Sequence, residues 1–249
     1  MCLSSVLLTN PLSELNKVSL DWITAEPERV LARHARVSTE NPDRPEFIKL
    51  LKYCIQKGHV SVFEQVCASY EIITTRDISA QIIRHKSFSF QETSQRYCDP
   101  NKVLSGLTGN PSSFELRRQD LKNRQNSIEY DDTLIEDRYR GKIRMVWSMA
   151  QNLYEALVED GVAKECARKI LPIGSPTRLH MQGTLRSWLF FVGVRSAPGT
   201  QKEHKYVANC IGRDLRLRMP DVISAVIEAA TSDASLGLTG WAHIDDLTP

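Results

Sequence analysis

The first third of the chain carries helical and strand-like patterns of apolar residues in turn. Residues 26–38 place apolar side chains three and four positions apart, and a second such stretch runs from Pro45 to Gly58. Proline suits the first turn of a helix and glycine its C-terminal cap. Two amphipathic helices are therefore predicted here.

A half-buried strand is predicted over residues 66–72. In this stretch Val66, Ala68, Tyr70 and Ile72 alternate with three other residues. Alternation with a period of two places one set of side chains on one face of a strand. We expect that set to face the core.

Helices dominate the rest of the predicted fold. Asp77 is placed to cap a short helix over residues 78–85, because its carboxylate can accept hydrogen bonds from the first N–H groups of a helix. A long helix with one apolar stripe, from Ile135 to Leu157, is predicted from about residue 132 to Gly161. Further predicted elements are a strand over 178–185 and helices over 163–171, 186–194, 201–218 and 221–230.

Residues 99–131 interrupt this pattern. They are polar, contain Asn-Pro and Gly-Asn pairs and show no clear period. A long loop or an insertion is predicted, with a short helix around 115–124. The whole pattern favours the α+β class, as a single, mostly helical domain over residues 1–249 with a few strands.

Composition changes this picture little, but it excludes some functions. Of the 249 residues, 41% are hydrophobic and 25% charged, and the formal net charge is only +2. General binders of nucleic acid or of membrane surfaces are usually more basic. The longest apolar runs, such as residues 188–194, are too short to cross a bilayer, and no signal peptide accompanies Cys2. The six cysteines form no CxxC pair and no zinc spacing, so free thiols in a cytoplasmic protein without a bound metal are expected.

Candidate chemistry is concentrated in residues 84–97, RHKSFSFQETSQRY, which follow the apolar stretch DISAQII directly. Arg84 and Arg96 lie in this segment, and Arg168 and Arg195 also stand in or beside apolar segments. A guanidinium presents a rigid fork of donors that fits a phosphate or the edge of a pyrimidine. Together the four arginines favour an anionic small molecule such as a nucleotide. Each one taken singly is also explained as a structural residue in a salt bridge.

The segment RHKSFSFQETSQRY resembles the signature RHRxxSxxxxSxRY of the flavin-dependent thymidylate synthases. Residues 58–64, GHVSVFE, resemble the family's GHxSxFE segment, and residues 161–172, GVAKECARKILP, its GVxxExARxxLP segment. TLRS at 184–187 and GVRSAPGTQKE at 193–203 fall where the family has its remaining site segments. The resemblance covers residues from about 30 to 220, in the family's order.

This resemblance implies a fold and a reaction. The fold would be the family's, a mostly helical α+β domain with a small antiparallel sheet. The family methylates dUMP at C5 with carbon from methylenetetrahydrofolate and hydride from reduced FAD, which NADPH re-reduces, and it uses no cysteine nucleophile. Its active sites lie between the subunits of a homotetramer. The expected ligands are therefore FAD, dUMP, methylenetetrahydrofolate and NADPH.

The resemblance also assigns roles to residues. Arg195 is expected to stabilise a pyrimidine deprotonated at N3, because a fixed positive charge lowers the cost of an adjacent anion. Ser94 is expected to position the pyrimidine, and His59 to lie near flavin and folate. The residues expected to bind dUMP are Gln81, Arg84, Glu92, Ser94, Gln95, Arg96, Arg168 and Arg195. The residues expected to bind FAD are Ser38, Ser61, Glu64, Arg84, His85, Lys86, Glu92, Thr184 and Arg186.

Several positions depart from the family's pattern. Lys86 replaces the third arginine of the signature, Gln65 stands where a histidine often follows the glutamate, and Gly199 replaces a frequent histidine. Thr184 and Phe190 occupy positions where the family commonly has asparagine. The uracil side of the site is therefore better supported than the flavin side.

Two other interpretations stay open at the level of the sequence. In one, the protein is a uridylate- or RNA-binding module without turnover, in which Phe88, Phe90 and Tyr97 would stack on bases beside the arginines. The near-neutral charge opposes this interpretation. In the other, residues 84–97 only cap a helix and pair charges, and no nucleotide binds. Nucleophile elbows (GxSxG), phosphate loops (GxGxxG, GxxxxGK[ST]) and metal spacings (HxxxH, HExxH) are absent from the sequence.

Overall fold

The computed structural model describes residues 11–99, 102, 104, 110–130 and 134–246. Its helices are α1 (Pro11–Leu15), α2 (Pro27–Ala35), α3 (Ile48–Gln56), α4 (Arg76–Ile82), α5 (Leu134–Glu159), α6 (Lys164–Ala167), α7 (Leu185–Arg195), α8 (Lys202–Arg218) and α9 (Pro220–Ser232). Its strands are β1 (Lys17–Ile23), β2 (Cys67–Thr75), β3 (Ser89–Glu92), β4 (Arg117–Gln119), β5 (Ser127–Glu129) and β6 (Pro176–Thr184). The predicted α+β class is confirmed.

Four strands form an antiparallel sheet in the order β1-β2-β6-β3. Tyr70 pairs with Met181 and Ile72 with Leu179 across the two central strands. All four side chains are buried on one face of the sheet. The inward positions predicted for the strand over 66–72 are confirmed, although β2 begins at Cys67 and runs on to Thr75.

Helix α7 packs against this apolar face of the sheet. It is apolar on nearly every side, and Trp188, Phe191 and Val192 are fully or almost fully buried. A helix without a polar stripe must be enclosed by other elements. The Trp188 ring meets Tyr70 edge-on at 5.1 Å between ring centroids, and its indole N–H donates to the Ala68 carbonyl at 3.3 Å. Helices α8 and α9 complete the core around α7.

Gly183 on β6 lets the signature segment lie flat on the sheet. A Cβ at this position would come within 2.5 Å of the Phe88 ring. Phe88 in turn packs edge-on against Trp188 at 4.6 Å between centroids. The first aromatic residue of RHKSFSFQETSQRY is therefore anchored in the core, which fixes the charged residues on either side of it.

Two predicted helix starts are wrong. Helix α3 begins at Ile48, not at Pro45, because the Arg36 guanidinium binds the carbonyl oxygens of Arg44 and Glu46 and holds this stretch outside the helix. Its predicted end is confirmed, since Gly58 follows the helix at φ 66°.

Asp77 does not cap α4. The helix begins at Arg76 with Thr75 in the N-cap position, and no side chain caps it. Strand β2 runs directly into α4, and the Arg76 N–H donates to the Ser175 carbonyl at 3.0 Å. Asp77 therefore lies in the first turn of the helix.

The short helix predicted around 115–124 is also wrong, because a two-stranded hairpin of β4 and β5 occupies this stretch. The Asp120 carboxylate accepts the backbone N–H groups of Lys122 and Asn123 at 2.8 and 3.2 Å, which closes the turn. Residues 100, 101, 103, 105–109 and 131 of the predicted loop lie outside the described residues.

The long helix is confirmed as α5, but its apolar stripe is only partly buried. Tyr139, Val146 and Leu153 are 42%, 57% and 51% exposed, and Tyr154 is the buried residue of this helix. Among the described residues, nothing covers these three exposed side chains fully.

Other sequence expectations concern cysteines, metal sites and membrane spans. Cysteines 54, 67, 98, 166 and 210 are free thiols, whereas Cys2 lies outside the described residues. Within the described ranges, no three His, Cys, Asp or Glu side chains are grouped to hold a metal ion. No helix in those ranges combines the length and the apolarity needed to cross a bilayer.

Candidate active site

The ends of α4 and α7 bring His85 and Arg195 together. Arg195 Nε donates to His85 Nε2 at 2.8 Å. The His85 ring also packs edge-on against Phe191, one turn earlier on α7, at 4.9 Å between centroids. A signature residue is thus joined directly to an arginine more than one hundred positions away in the sequence.

The His85 imidazole is neutral at pH 7. Burial lowers its pKa to about 4, and the positive charges of Arg195 and then Arg84 add to this effect. A neutral ring that accepts at Nε2 carries its proton on Nδ1. Burial and Arg84 likewise lower the pKa of Arg195. The three residues therefore form a positively charged centre that an anion would stabilise.

Gln81 lies on α4 beside this pair. Its Nε2 donates to Gln201 Oε1 at 2.6 Å, and its Oε1 lies 3.3 Å from His204 Nδ1. Gln201 and His204 come from the region where α8 begins. Gln81, Arg84, His85 and Arg195, all predicted from the sequence, thus form one cluster, whereas Gln201 and His204 were not predicted.

The second half of the signature forms a separate group on β3 and the turn after it. Glu92 Oε1 accepts the hydroxyls of Ser79 and Thr177 at 2.8 and 2.9 Å. It also lies 3.6 Å from Arg76 Nη1. These contacts fix the carboxylate between the sheet and α4.

The turn after β3 carries two further predicted residues, Ser94 and Gln95. Ser94 Oγ accepts the Arg96 backbone N–H at 3.3 Å. Gln95 is buried. Both residues thus stand between Glu92 and Arg96.

Arg96 and the ECAR segment meet at the protein surface. Arg96 Nη2 pairs with Glu165 at 3.0 Å, and Lys164 Nζ donates to the Tyr97 carbonyl at 3.0 Å. Arg168 follows one turn later, half-buried. The signature and the segment 161–172 are therefore neighbours in the fold.

A third group surrounds the 3₁₀ helix Val60–Glu64. Glu64 forms an ion pair with Arg186 on α7. Thr184 caps that helix by accepting the Ser187 N–H at 3.3 Å. Their neighbours His59 and Ser61 line an open cavity of about 860 Å³.

Ser38 and Lys86 are exposed and stand apart from these contacts. Ser38 lies just beyond α2, next to Val37, which lines the same cavity of about 860 Å³. No ion pair of Lys86 occurs among the residues that the structure describes. The predicted site residues are therefore dispersed over three groups of one chain.

Comparisons with known proteins identify the family of this chain. The family model described as "Thymidylate synthase complementing protein" matches residues 20–221. A flavin-dependent thymidylate synthase from Synechocystis sp. is 40% identical over 89% of this chain and 97% of its own length. A probable flavin-dependent thymidylate synthase from Paramecium bursaria Chlorella virus 1 is 39% identical over 80% of this chain and 90% of its own. The chain belongs to the flavin-dependent thymidylate synthase family. A third relative, a flavin-dependent thymidylate synthase from Thermus thermophilus, is 29% identical over 85% of this chain and 76% of its own length.

A flavin-dependent thymidylate synthase needs a site for its flavin, and the cavity beside His59 has a suitable size, although Ser61 is the one residue on its walls among the nine expected to bind FAD. Its volume of about 860 Å³ is in the range of cofactor sites. His34, Ser61 and Gln65 supply polar groups to its walls, and Cys54 and Val62 supply apolar ones. This donor set suits an aromatic ring system with polar edges.

One feature of the sequence points to the two residues of the cluster that the prediction missed. Gln201 and His204 are polar residues in the stretch QKEHKYVAN, which leads into the apolar face of α8. His204 is fully buried there. A buried histidine that follows a site segment is a candidate in this enzyme, but no spacing rule marks it.

Proposed function

We propose that this enzyme transfers the methylene carbon of methylenetetrahydrofolate to C5 of dUMP and reduces it to the methyl group of dTMP. The proposed cofactor is FAD, with NADPH as the reductant. One NADPH and one proton are consumed, and tetrahydrofolate and NADP⁺ are released. The proposal includes the family's fold in a single domain over residues 1–249, and a cytoplasmic location as expected from the composition.

The observation that carries the proposal is the contact between His85 and Arg195 beside Arg84. The guanidinium groups of Arg84 and Arg195 repel each other, and Arg195 is partly desolvated. A uracil that has lost its N3 proton would relieve both costs, because an anion here is stabilised by fixed positive charge. Ionisation at N3 raises the electron density at C5, which is the atom that must form the new bond.

The remaining predicted residues are proposed to bind and orient the ligands. Arg96 and Arg168 are suited to the phosphate, because a guanidinium binds phosphate with two hydrogen bonds. Ser94, Gln95 and Glu92 are proposed to contact dUMP between these arginines and Gln81. His59 is proposed to lie near the flavin and the folate.

The flavin, when bound, supplies the hydride that completes the methyl group. The residues proposed to hold it are Ser38, Ser61, Glu64, Arg84, His85, Lys86, Glu92, Thr184 and Arg186. Glu64 and Arg186 already pair with each other, so each holds the other in place on the wall between α7 and the 3₁₀ helix. Their pairing requires no ligand.

The active enzyme is proposed to be a homotetramer whose sites are shared between subunits. Two observations support this assembly. Part of the apolar stripe of α5 is exposed, at Tyr139, Val146 and Leu153, and exposed apolar patches are typical of subunit interfaces. The arginine groups around Arg195 and around Arg168 also form separate contacts within one chain, so that a neighbouring copy is proposed to complete each site.

The reaction is tested by tritium release from [5-³H]dUMP with FAD, methylenetetrahydrofolate and NADPH. Arg195→Ala is expected to lower the rate about ten- to a hundred-fold, the cost of one charged contact. Arg216→Ala, which removes an exposed arginine paired with Asp245, is the matched control and should retain the wild-type rate. Tritium release by the wild type with full activity of Arg195→Ala would refute the role of Arg195. Binding of dUMP without tritium release by the wild type would favour the module without turnover.

Whether two subunits share one site is tested by dissociating two inactive variants into subunits and reassembling them as a mixture. Arg195→Ala and Arg168→Ala subunits should restore part of the activity when mixed, because some sites then receive both arginines intact. Arg195→Ala mixed with His85→Ala is the control, since both changes fall in one group and no restoration is expected. Equal activity of the two mixtures would contradict a shared site.

A further inference from the structure

His204 is a buried residue to which the proposed mechanism gives no task. It lies on α8 with no exposed surface. Its ring is 5.8 Å from Phe191 and 6.4 Å from His85, measured between centroids. It therefore stands directly behind the pair that His85 forms with Arg195.

The hydrogen bonds of His204 fix its tautomer. Nδ1 lies 3.3 Å from Gln81 Oε1, and Nε2 is buried without a hydrogen-bond partner among the described residues. An unpartnered buried N–H is rarer in proteins than an unpartnered acceptor. The proton therefore belongs on Nδ1, where it is donated to Gln81, and Nε2 keeps a bare lone pair.

His204 remains neutral over the working range of an enzyme. Burial lowers its pKa to about 3, and the charge of Arg195 and the proximity of His85 act in the same direction. A neutral ring donates a single N–H and brings no extra positive charge behind Arg195.

This donor sets the direction of the Gln81 amide. With Oε1 held by His204, the Gln81 nitrogen must point away, and one of its two N–H groups goes to Gln201 Oε1 at 2.6 Å. No acceptor for the second N–H occurs among the residues that the structure describes, so this N–H is available to an oxygen atom of a ligand. A rotation of the amide by 180° would bring two donors together at His204.

We propose that His204 is a positioning residue, which fixes the Gln81 side chain so that its free N–H is presented to an oxygen atom of dUMP. The inference rests on the proposed assignment of Gln81 to dUMP binding. His204 itself touches no ligand. Its effect should therefore appear in substrate affinity, not in flavin binding.

Substitution of His204 by asparagine or glutamine distinguishes the role of its Nδ1–H donor from a role in packing. The nitrogen of asparagine reaches about the position of Nδ1, and that of glutamine about the position of Nε2. His204→Phe keeps the ring volume and removes the donor, so the Kd of dUMP should rise about three- to ten-fold, as for one lost hydrogen bond. His204→Asn should restore the affinity, and His204→Gln should not.

The measurement is calorimetric titration of the FAD-loaded enzyme with dUMP, together with KM and kcat for tritium release. We expect KM to change with the Kd while FAD affinity stays constant. Asn209→Ala is the control for lost stability, because Asn209 is also buried on α8 but donates to the His243 carbonyl. It should lower the Tm and leave dUMP affinity unchanged.

Gln81→Ala separates failure of the inference from failure of its premise. If Gln81→Ala weakens dUMP binding and His204→Phe adds nothing further to it, the two residues act through one contact, as proposed. Wild-type affinity in His204→Phe with weak binding in Gln81→Ala would reduce His204 to packing. Wild-type affinity in Gln81→Ala would overturn the assignment of Gln81 and the inference with it. If His204→Phe does not fold, equal affinities of the asparagine and glutamine variants would overturn the inference.

Discussion

The two buried histidines beside Arg195 should make the folded protein sensitive to mild acid. The pKa of His85 is lowered to about 4 and that of His204 to about 3, each chiefly by burial. In the unfolded chain both return to about 6.5. Protons therefore bind the unfolded state more tightly, and the free energy of unfolding falls as the pH drops below about 6.5. Each histidine stops lowering the free energy of unfolding once the pH falls below its pKa in the folded protein.

The magnitude follows from the size of this interval. Each histidine costs about 1.4 kcal/mol for every pH unit between its unfolded and folded pKa. At pH 5 the interval is about 1.5 units, so the two residues together remove at most about 4 kcal/mol from the free energy of unfolding. The larger part comes from the fully buried His204, because solvent screens the partly exposed His85. Small proteins have about 5–15 kcal/mol in total. This loss is therefore large enough to shift the unfolding midpoint visibly.

The assay is urea unfolding followed by circular dichroism at pH 7, 6 and 5. His85→Gln should remove less than half of the pH dependence, because glutamine does not titrate and the more deeply buried His204 remains. His34→Gln, which replaces an exposed histidine, is the control and should keep the full dependence. A wild-type protein as stable at pH 5 as at pH 7, or a His85→Gln variant with the wild-type slope, would refute the reasoning.

Two further predictions concern the packing that supports the site. Gly240→Ala should lower the free energy of unfolding by about 1–3 kcal/mol, because its Cβ would clash with the backbone oxygen of Gly193 on α7. Thermal unfolding measures this loss. The control is Gly141→Ala, whose Cβ would meet nothing within 4 Å, and this variant should not be destabilised. Tyr70→Phe should lower the free energy of unfolding, measured in urea, by about 1.5–3 kcal/mol, because its hydroxyl donates to the Asp214 carboxylate at 2.8 Å. An unchanged midpoint would contradict this second expectation.

The sequence predicted best those elements in which one physical preference dominates. Helices α7, α8 and α9 consist of long apolar or amphipathic stretches, and their predicted positions are confirmed. Strands β1 and β3 were missed. Residues of β1 are mostly exposed or half-buried, so its apolar alternation is weak. β3 lies inside the charged signature, where the needs of the site outweigh strand propensity.

The candidate site was predictable as a set of residues but not as a set of contacts. The motif placed Arg84 and His85 side by side, yet no pattern in the sequence shows that His85 receives a hydrogen bond from Arg195. Pairs such as Glu64 with Arg186 depend on how α7 crosses the 3₁₀ helix Val60–Glu64. Contacts of this kind are set by packing between distant segments, which local periodicity does not encode.

Gly199 is a departure from the family's pattern that the local backbone explains, and His204 lies five residues beyond it. The family frequently has a histidine where this chain has Gly199, and Gly199 lies at φ 86°, a conformation that favours glycine. A histidine at that position would be strained, so the turn between α7 and α8 is built for a residue without a side chain. The imidazole that this chain does place near Arg195 comes from the buried side, five residues later, and it is neutral. An imidazole in that position cannot reach a ligand, but it can hold the residues that do.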